Sequence, residues 1–269
     1  MRARRVSVNG QVLRLILIAS LPLLTSCNSA TNEALEETFE RSYAIPPSAK
    51  ITINNRDGAV LLYGSDCNDM RVRAVKKAYS RERLSQIAID ISVKPNAVSV
   101  STKFPPQPKW ALFDRSGTVD YTIVVPATAE ISALRLNAGE VLVDGMRGGG
   151  VHAWLGDGRM FAHNCFTDID LALQRGNLAI SYDWWEHETF SAQANIARGN
   201  AWVFLPPDAA VHLAAETGYG KISSDFENPA VARPTLARAA KIDTLVHGGG
   251  KAAIKVRTAN GDIKVMATP

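Results

Sequence analysis

Two pairs of acidic residues have a spacing that could serve acid–base chemistry on a sugar. They are Asp168 with Asp170 and Asp183 with Glu186. Glycoside hydrolysis needs two carboxyl groups about 5–9.5 Å apart, one acting as the acid and the other as the base or nucleophile. A β-helix polysaccharide lyase or hydrolase is therefore one hypothesis. No Gly-x-Ser-x-Gly elbow accompanies these pairs, and we expect neither an enzyme nor catalytic residues.

Aromatic side chains lie beside the second acidic pair. Tyr182, Trp184 and Trp185 occupy a segment with loop character. Adjacent tryptophans on a loop can stack on a sugar or anchor a protein contact, so these residues form a candidate interaction surface. The alternative is a corner loop that folds over its own domain. His187 stands between two glutamates, and we expect it to be solvated.

Metal and cofactor sites are not expected. The five histidines are scattered and never form a His-x-His or His-x-x-x-His pair of the kind that binds zinc or copper. The glycine runs at 148–150 and 248–250 lack the Lys-Ser/Thr ending of a phosphate-binding loop. Both runs are predicted to be flexible corners.

The N-terminus has the pattern of an exported lipoprotein. Arg2, Arg4 and Arg5 precede an apolar run at 15–24 that is too short to span a bilayer as a helix. The run leads into Leu-Thr-Ser-Cys, which resembles the bacterial lipobox. Cys27 is therefore the expected lipid-attachment site and the first residue of the mature chain.

Processing at this cysteine divides the chain into three parts. Residues 1–26 are the expected lipoprotein signal peptide, 27–38 a polar tether, and 39–269 one folded domain. Asparagine follows the cysteine where some lipoproteins have aspartate, which by resemblance to Gram-negative lipoproteins favours the outer membrane. The alternative is an ordinary secretory signal with an unrelated cysteine.

Removal of the signal peptide changes the charge balance. Of the 30 basic residues, Arg2, Arg4, Arg5 and Arg14 lie in 1–26, which leaves 26 basic residues against 26 acidic ones. The sequence pI near 9.0 therefore belongs mainly to the signal peptide. A neutral mature chain gives no reason to expect a nucleic-acid partner.

Seven glycines recur at one point of a short pattern. The side chains five and three residues before each glycine, and two and four after it, are usually apolar, whereas the next residue is usually polar. Self-similarity at about 20 residues predicts stacked units, and the glycine predicts a corner with positive φ. The expected fold class is all-β, a single-domain β-solenoid like a small parallel β-helix. The glycines are Gly58, Gly139, Gly158, Gly176, Gly199, Gly220 and Gly261.

One outward column of this pattern is apolar. Three residues after successive glycines stand Leu142, Phe161, Ala179 and Trp202. Such a stripe, if exposed, would be a groove for a partner or a lipid. The alternative is that another segment, for example residues 225–250 or the N-terminal strands, covers it.

The remaining sequence predicts an N-terminal strand-rich segment. Residues 84–102 predict a strand pair, and residues 119–125 a strand that Pro126 ends. Short helices are expected only at 80–87 and 236–245.

Cys67 and Cys165 are the cysteines of the mature domain besides Cys27. An oxidising compartment would permit a disulfide between them. They lie about five units apart, or roughly 24 Å at the usual strand spacing, whereas a disulfide needs α-carbons within about 7 Å. Two free thiols are favoured, and a bridge formed by a folded-back N-terminal segment remains the alternative.

The segments 136–145 and 256–265 resemble the bacterial "putative adhesin" domain family, as do the strand ending at Val125-Pro126 and the Leu205-Pro206 stretch. The resemblance covers roughly residues 45–266. It implies a β-solenoid of the kind found on lipoproteins and other envelope proteins, and it implies no catalytic residues.

These patterns together predict an adhesin-like function. We expect a non-catalytic, lipid-anchored protein of the cell envelope, at the outer membrane, that presents a rigid surface to an envelope protein or a glycan. A purely structural role in envelope assembly is the third hypothesis.

Overall fold

The fold is known from a computed structural model, which describes residues 34–106, 117–226 and 239–268. The predicted signal peptide, Cys27 and most of the predicted tether lie outside these ranges, as do 107–116. The described strands are β1 (Leu35–Ala44), β2 (Lys50–Ser65), β3 (Asp69–Ala78), β4 (Ala88–Lys94), β5 (Ala97–Lys103), β6 (Thr118–Pro126), β7 (Glu130–Asp144), β8 (Val151–His163), β9 (Ile169–Ser181), β10 (Ser191–Arg198), β11 (Ala201–Leu205), β12 (Val211–Tyr219), β13 (Ile222–Ser224), β14 (Ala240–Val246), β15 (Ala252–Asn260) and β16 (Ile263–Ala267). A single helix, α1 (Arg81–Gln86), is described with them.

The described strands form one open, mixed sheet. Its main path runs β1-β3-β6-β2-β7-β8-β9-β10-β15-β12-β14. Neighbours from β6 to β12 along this path are parallel, and antiparallel pairs close both ends, β1–β3–β6 at one and β12–β14 at the other. The all-β prediction is confirmed. The expectation of a parallel sheet is corrected at both ends, where antiparallel strands cover the last parallel ones.

The seven recurring glycines form a column across this sheet. Gly139 lies opposite Gly58 on one side and Gly158 on the other. A methyl carbon at Gly139 would overlap the carbonyl oxygen of Gly58, and the same overlap recurs along the column. Every glycine in it has a positive φ, from 125° to 158°. Only glycine combines this backbone conformation with so close an approach, so the column is a steric requirement.

Each long strand changes its alternation at this column. In β7 the buried side chains are Leu134 and Leu136 before Gly139, and Val141 and Val143 after it. The shift of one residue keeps the apolar side chains of both strand halves on the buried side. We call the parts before and after the glycine the leading and trailing halves. Their buried side chains belong to one continuous core.

The predicted inward column is confirmed. Val141 is opposite Met160, Met160 is opposite Leu178, and Leu178 is opposite Ala201. All four side chains are buried. The periodicity in the sequence is thus a stack in the structure.

The stacking order departs from the chain order near the C-terminus. Strand β15 lies between β10 and β12, pairing in parallel with both. Gly261 is consequently the neighbour of both Gly199 and Gly220. The spacing between Gly220 and Gly261 is longer than those between successive glycines from Gly139 to Gly220 because β14, which runs antiparallel along β12, comes between them in the chain.

The minor elements confirm some predictions and correct one. The strand pair predicted at 84–102 is the antiparallel hairpin β4–β5, and α1 begins after Ser80, whose Oγ accepts a hydrogen bond from Arg83 N at 3.2 Å. The helix predicted at 236–245 is wrong where the structure describes it, because β14 begins at Ala240. Pairing with the edge of β12 outweighs the helical preference of this short segment. Strand β1 begins at Leu35, within the predicted tether.

Cys67 and Cys165 are free thiols, as the spacing argument favoured. Burial raises the pKa of Cys165 to about 12. Within the described ranges, no helix combines the length and the hydropathy that a membrane crossing requires.

Candidate functional site

The outward side of the leading halves carries a row of side chains that crosses seven strands. Each member stands four residues before a column glycine, and each lies opposite the next on the adjacent strand. Because the strands are in register, positions far apart in the sequence become neighbours. In spatial order this central row is Asn54, Arg135, Trp154, Ala172, Asn195, Arg257 and Glu216.

Four cavities follow the central row and share residues with one another. The first, of about 620 Å³, shares Arg135 and Trp154 with a second of about 190 Å³. The second shares Ala172 with a third of about 560 Å³. The third shares Glu216 and Arg257 with a fourth of about 250 Å³. Together they form a continuous groove, which we call the groove face, about 29 Å long at the usual strand spacing.

Small residues make room for this groove. Two residues beyond the central row on their strands stand Gly156, Ala197, Ala259 and Gly218. The last three line the third cavity. Side chains this short leave space above the backbone, whereas the longer central-row side chains form one wall.

The first cavity is basic and partly aromatic, and we call it the arginine end. Trp154 is 40% exposed, and the Arg56 guanidinium lies 4.3 Å from the centre of the Phe104 ring. Arg56 Nε also donates to Asp57 Oδ2 at 2.7 Å, whereas Arg135 is exposed on the strand surface. None of the described residues that line this cavity is acidic. Asn54, Asn137 and Thr102 add polar groups to the lining.

Asn55 lines the same cavity from the buried side of β2. Its Nδ2 donates to the carbonyl oxygen of Val119 at 2.8 Å and to that of Asp57 at 3.3 Å. Its Oδ1 is buried and has no hydrogen-bond partner among the described residues. A buried acceptor of this kind costs about 1–3 kcal/mol when it stays unsatisfied. Asn55 thus stabilises the corner of β2 through its Nδ2, while its Oδ1 acceptor has no partner among the described residues.

The opposite end of the groove has mixed charges, with Lys241, Lys255 and Arg257 beside Glu216 and Asp243. Arg257 and Glu216 form an ion pair at 3.1 Å. His212 Nε2 and Asp243 Oδ1 lie 2.7 Å apart, and this hydrogen bond is the main reason why the pKa of Asp243 is lowered. Lys241 lies 4.0 Å from the same carboxylate. Among the described residues that line the four cavities, a ligand would therefore meet basic side chains without carboxylates only at the arginine end.

The predicted aromatic surface is largely internal. Tyr182 is fully buried and Trp185 is 8% exposed. The Tyr182 hydroxyl donates to the carbonyl oxygen of Cys165 at 3.1 Å, and its ring packs against Phe166 and Phe190 with centroids 5.2 and 5.7 Å away. These residues fill the core, as the alternative of a loop folded over its own domain expected.

Trp184 is the exposed member of the predicted trio, at 45%. Its indole Nε1 donates to Glu186 Oε1 at 2.8 Å, and Glu186 pairs with Arg147. Arg147 in turn lies over the Phe166 and Trp184 rings. Trp184 is thus held in a local network, separate from the groove face.

The predicted apolar column is present on the outward side of the trailing halves. Leu142 is opposite Phe161, Phe161 is opposite Ala179, and Ala179 is opposite Trp202. Leu142, Phe161 and Trp202 are half-buried, and Ala179 is buried. We call this side the apolar face.

A histidine bridges two carboxylates at the border of the apolar face. His163 Nδ1 lies 3.0 Å from Asp144 Oδ1, and His163 Nε2 lies 3.0 Å from Asp183 Oδ2. Partial burial lowers the pKa of His163, but the hydrogen bonds and charges of Asp183 and Asp144 outweigh it, and the net pKa is raised. The hydrogen bond from His163 is the main reason why the pKa of Asp183 is lowered.

The acidic residues singled out in the sequence are engaged in local contacts. Asp168 Oδ1 accepts hydrogen bonds from the backbone nitrogen and the hydroxyl of Ser191, at 2.7 and 3.0 Å. Asp170 lies 3.9 Å from His152. Asp183 and Glu186 hold His163 and Arg147 as described above. Over 34–106, 117–226 and 239–268, no group of three or more His, Cys, Asp or Glu side chains is placed to hold a metal ion.

Sequence reasoning missed the groove face, although a signal for it exists. The column three residues after the glycine stood out because it is apolar. The row four residues before the glycine follows from the same register, but its members are chemically mixed. Trp154 and Arg135 are brought together by pairing of β7 with β8, which only the stack reveals.

Comparisons with known proteins show the fold. No protein-family model and no curated protein matches the chain. A solved structure from Clostridium sporogenes ATCC 15579, described as a "putative cell adhesion protein", matches 86% of this chain and all of its own, with a TM-score of 0.50 and 15% identity. A "putative adhesin" from Bacteroides fragilis NCTC 9343 covers 85% of this chain and 97% of its own, with a TM-score of 0.29 and 12% identity. The chain thus has the fold of the Clostridium sporogenes protein, and the 15% sequence identity supports no conclusion about a shared function.

Proposed function

We propose that this chain is a lipid-anchored, non-catalytic protein of the bacterial cell envelope, at the outer membrane, that binds an extended polymer, a glycan or a polypeptide, along the groove face. The observation that carries the proposal is the continuity of the groove across seven strands, with Trp154 between its first two cavities. An extended groove fits a chain-like ligand better than it fits a small molecule, which prefers a single enclosed pocket.

The architecture supports a binding role. The central row stands on paired strands of one sheet, so the backbone that carries its side chains is in place before any ligand arrives. Preorganisation reduces the entropy that a binding surface loses on contact. We interpret the stack as a β-solenoid, in which each unit buries its apolar side against its neighbours and leaves the outward side free to vary.

The location follows from the N-terminal pattern. Acylation of Cys27 would tether the domain to the membrane through the residues that precede β1. We predict that Cys27→Ala, expressed behind a secretory signal peptide that is cleaved without this cysteine, moves from the membrane fraction into the soluble envelope fraction, because the chain has lost its lipid anchor. Fractionation followed by immunoblotting measures it, with Cys67→Ala as the matched control that stays membrane-bound. Unchanged partitioning of Cys27→Ala would reject the lipoprotein assignment.

Two exposed tryptophans allow a direct test of the groove. Trp154 lies in the groove and Trp184 lies outside it, with similar exposures of 40% and 45%. Pull-down of envelope proteins and glycans with purified Trp154→Ala should lose the ligand, and Trp184→Ala should retain it. The opposite result would move the interface to the aromatic segment. Retention by both variants would exclude both surfaces.

A further inference from the structure

We infer that the arginine end of the groove is a subsite for a carboxylate-bearing sugar, so that the ligand is an acidic polysaccharide. This inference rests on the proposed function and names the ligand class of the same groove. It is carried by the combination of Arg135, Trp154 and the amide side chains in one cavity.

Arg135 supplies the charge. It lies between Asn54 and Trp154 in the central row, exposed, and no carboxylate lines the cavity in the described residues. A guanidinium presents paired N–H donors that match the two oxygens of a carboxylate. The net charge of the expected mature chain is near zero, so Arg135 is a local positive charge and not part of a generally basic surface.

Trp154 supplies a flat apolar surface beside that charge. It lies directly opposite Arg135 on the adjacent strand. An indole ring packs well against the apolar face of a pyranose while the ring substituents remain free to hydrogen bond. Charge and ring together recognise a sugar acid better than either a neutral sugar or a small inorganic anion.

The amides supply hydrogen bonds of both kinds. Asn54 and Asn137 flank Arg135 on the groove surface, and Asn55 holds a buried oxygen without a partner among the described residues. Amides donate and accept, as sugar hydroxyls do. A phosphate or sulfate offers acceptors and would leave the amide oxygens unmatched.

The far end of the groove argues against a densely charged polymer. Glu216 lies in the same row, paired with Arg257, and Asp243 lies in the fourth cavity together with Lys241 and Lys255. A nucleic acid, with one charge per about 1.7 Å, would meet these carboxylates within the length of the groove. A polysaccharide with one carboxylate per sugar can place its charge at Arg135 and hydroxyls elsewhere.

The test uses two ligands that differ in charge and in one methyl group on each sugar. Polygalacturonate and its methyl ester are compared by isothermal titration calorimetry with the mature protein, at about 0.1 M salt to limit long-range electrostatics. We expect tighter binding of the acid form. Arg135→Gln should weaken binding of the acid form by about tenfold or more and leave the methyl ester unaffected. Arg73→Gln, at an exposed arginine of β3 that lies two strands beyond β2 and does not line the first cavity, is the matched control and should change neither.

The outcomes separate this inference from the proposed function. Equal binding of both polysaccharides, unchanged by Arg135→Gln, would overturn the acidic subsite and leave the groove as a glycan site. Binding of poly-glutamate in preference to either polysaccharide would overturn the sugar and leave a polypeptide site. If none of the three polymers binds, the inference fails, and the proposed function is judged by the Trp154→Ala pull-down alone.

Discussion

The two outward sides of the sheet share one scaffold and differ in chemistry. The groove face, before the glycine column, carries Arg135 and Trp154 at one end and the small residues Ala197, Gly218 and Ala259 in its third cavity. The apolar face, after the column, carries Leu142, Phe161 and Trp202 in a half-buried stripe. The same strand register aligns the side chains of both faces into rows. The inward positions and the glycines are fixed by packing, so the difference between the faces is where the chain has been free to acquire a function.

The largest expected effect comes from breaking the column that both faces share. We predict that Gly158→Ala destabilises the domain by at least about 3 kcal/mol, because a methyl group there would overlap the carbonyl oxygen of Gly139 at a φ of 138°. Urea unfolding monitored by circular dichroism measures it.

Gly248→Ala is the matched control for that prediction. Its φ of 78° is also positive, but a methyl group there meets no atom within 4 Å. The cost should be only the backbone strain, about 1–2 kcal/mol. Equal losses of stability in the two variants would show that backbone strain, and not the close stacking of neighbouring strands, is what requires glycine in the column.

A second comparison replaces one tryptophan of each face by alanine. Trp202→Ala should lower the free energy of unfolding by about 1–2 kcal/mol because the half-buried ring covers its neighbours. Trp154→Ala should change stability by less than about 0.5 kcal/mol and weaken polymer binding several-fold. Chemical unfolding and calorimetry on the same preparations measure both. A larger stability loss for Trp154→Ala would contradict the division into a supporting face and a binding face.

The smallest effect concerns the pH response of the apolar face. The pKa of His163 is raised above its ordinary 6.5 in the folded protein. The protonated ring therefore stabilises the fold fully below pH 6.5, and this contribution is lost as the pH rises through the higher folded-state pKa.

His163→Gln should remove that dependence. His163 and its two carboxylate partners are partly exposed to solvent. We therefore expect the contribution of His163 to the free energy of unfolding to change by less than about 1 kcal/mol between pH 6 and 8. Urea midpoints across that range measure it, with His152→Gln, in the groove next to Asp170, as the control. An unchanged pH profile in His163→Gln would show that the bridge to Asp144 and Asp183 adds no stability.

The sequence predicts the parts of the fold that sterics and burial dictate. The glycine at each corner and the buried columns of Val141 and Leu178 recur because each unit must fit onto the next. The outward positions obey no such requirement. Trp154 and Arg135 are ordinary surface residues until β7 and β8 are placed side by side, so the groove could not be located without the stack.

Two further errors share a cause in long-range pairing. Residues 236–245 have the composition of a short helix, but the described part pairs with β12 because that strand would otherwise leave an open edge. Tyr182 and Trp185 look like loop aromatics in the sequence, yet neighbouring units supply Phe166 and Phe190 to surround them. Local sequence propensity predicts neither the pairing of β14 with β12 nor the packing around Tyr182 and Trp185.

The position of β15 constrains how the chain can mature. Synthesis delivers the polypeptide from its N-terminus, yet β12 and β14 lie in the sheet beyond β15, a strand that follows them in the chain. Strands β12 and β14 therefore cannot take their final places until β15 has been made and inserted between β10 and β12. Deletion of residues 252–267 would remove strands from the interior of the sheet, because β15 pairs with β10 and β12, and β16 pairs with β11 and β13.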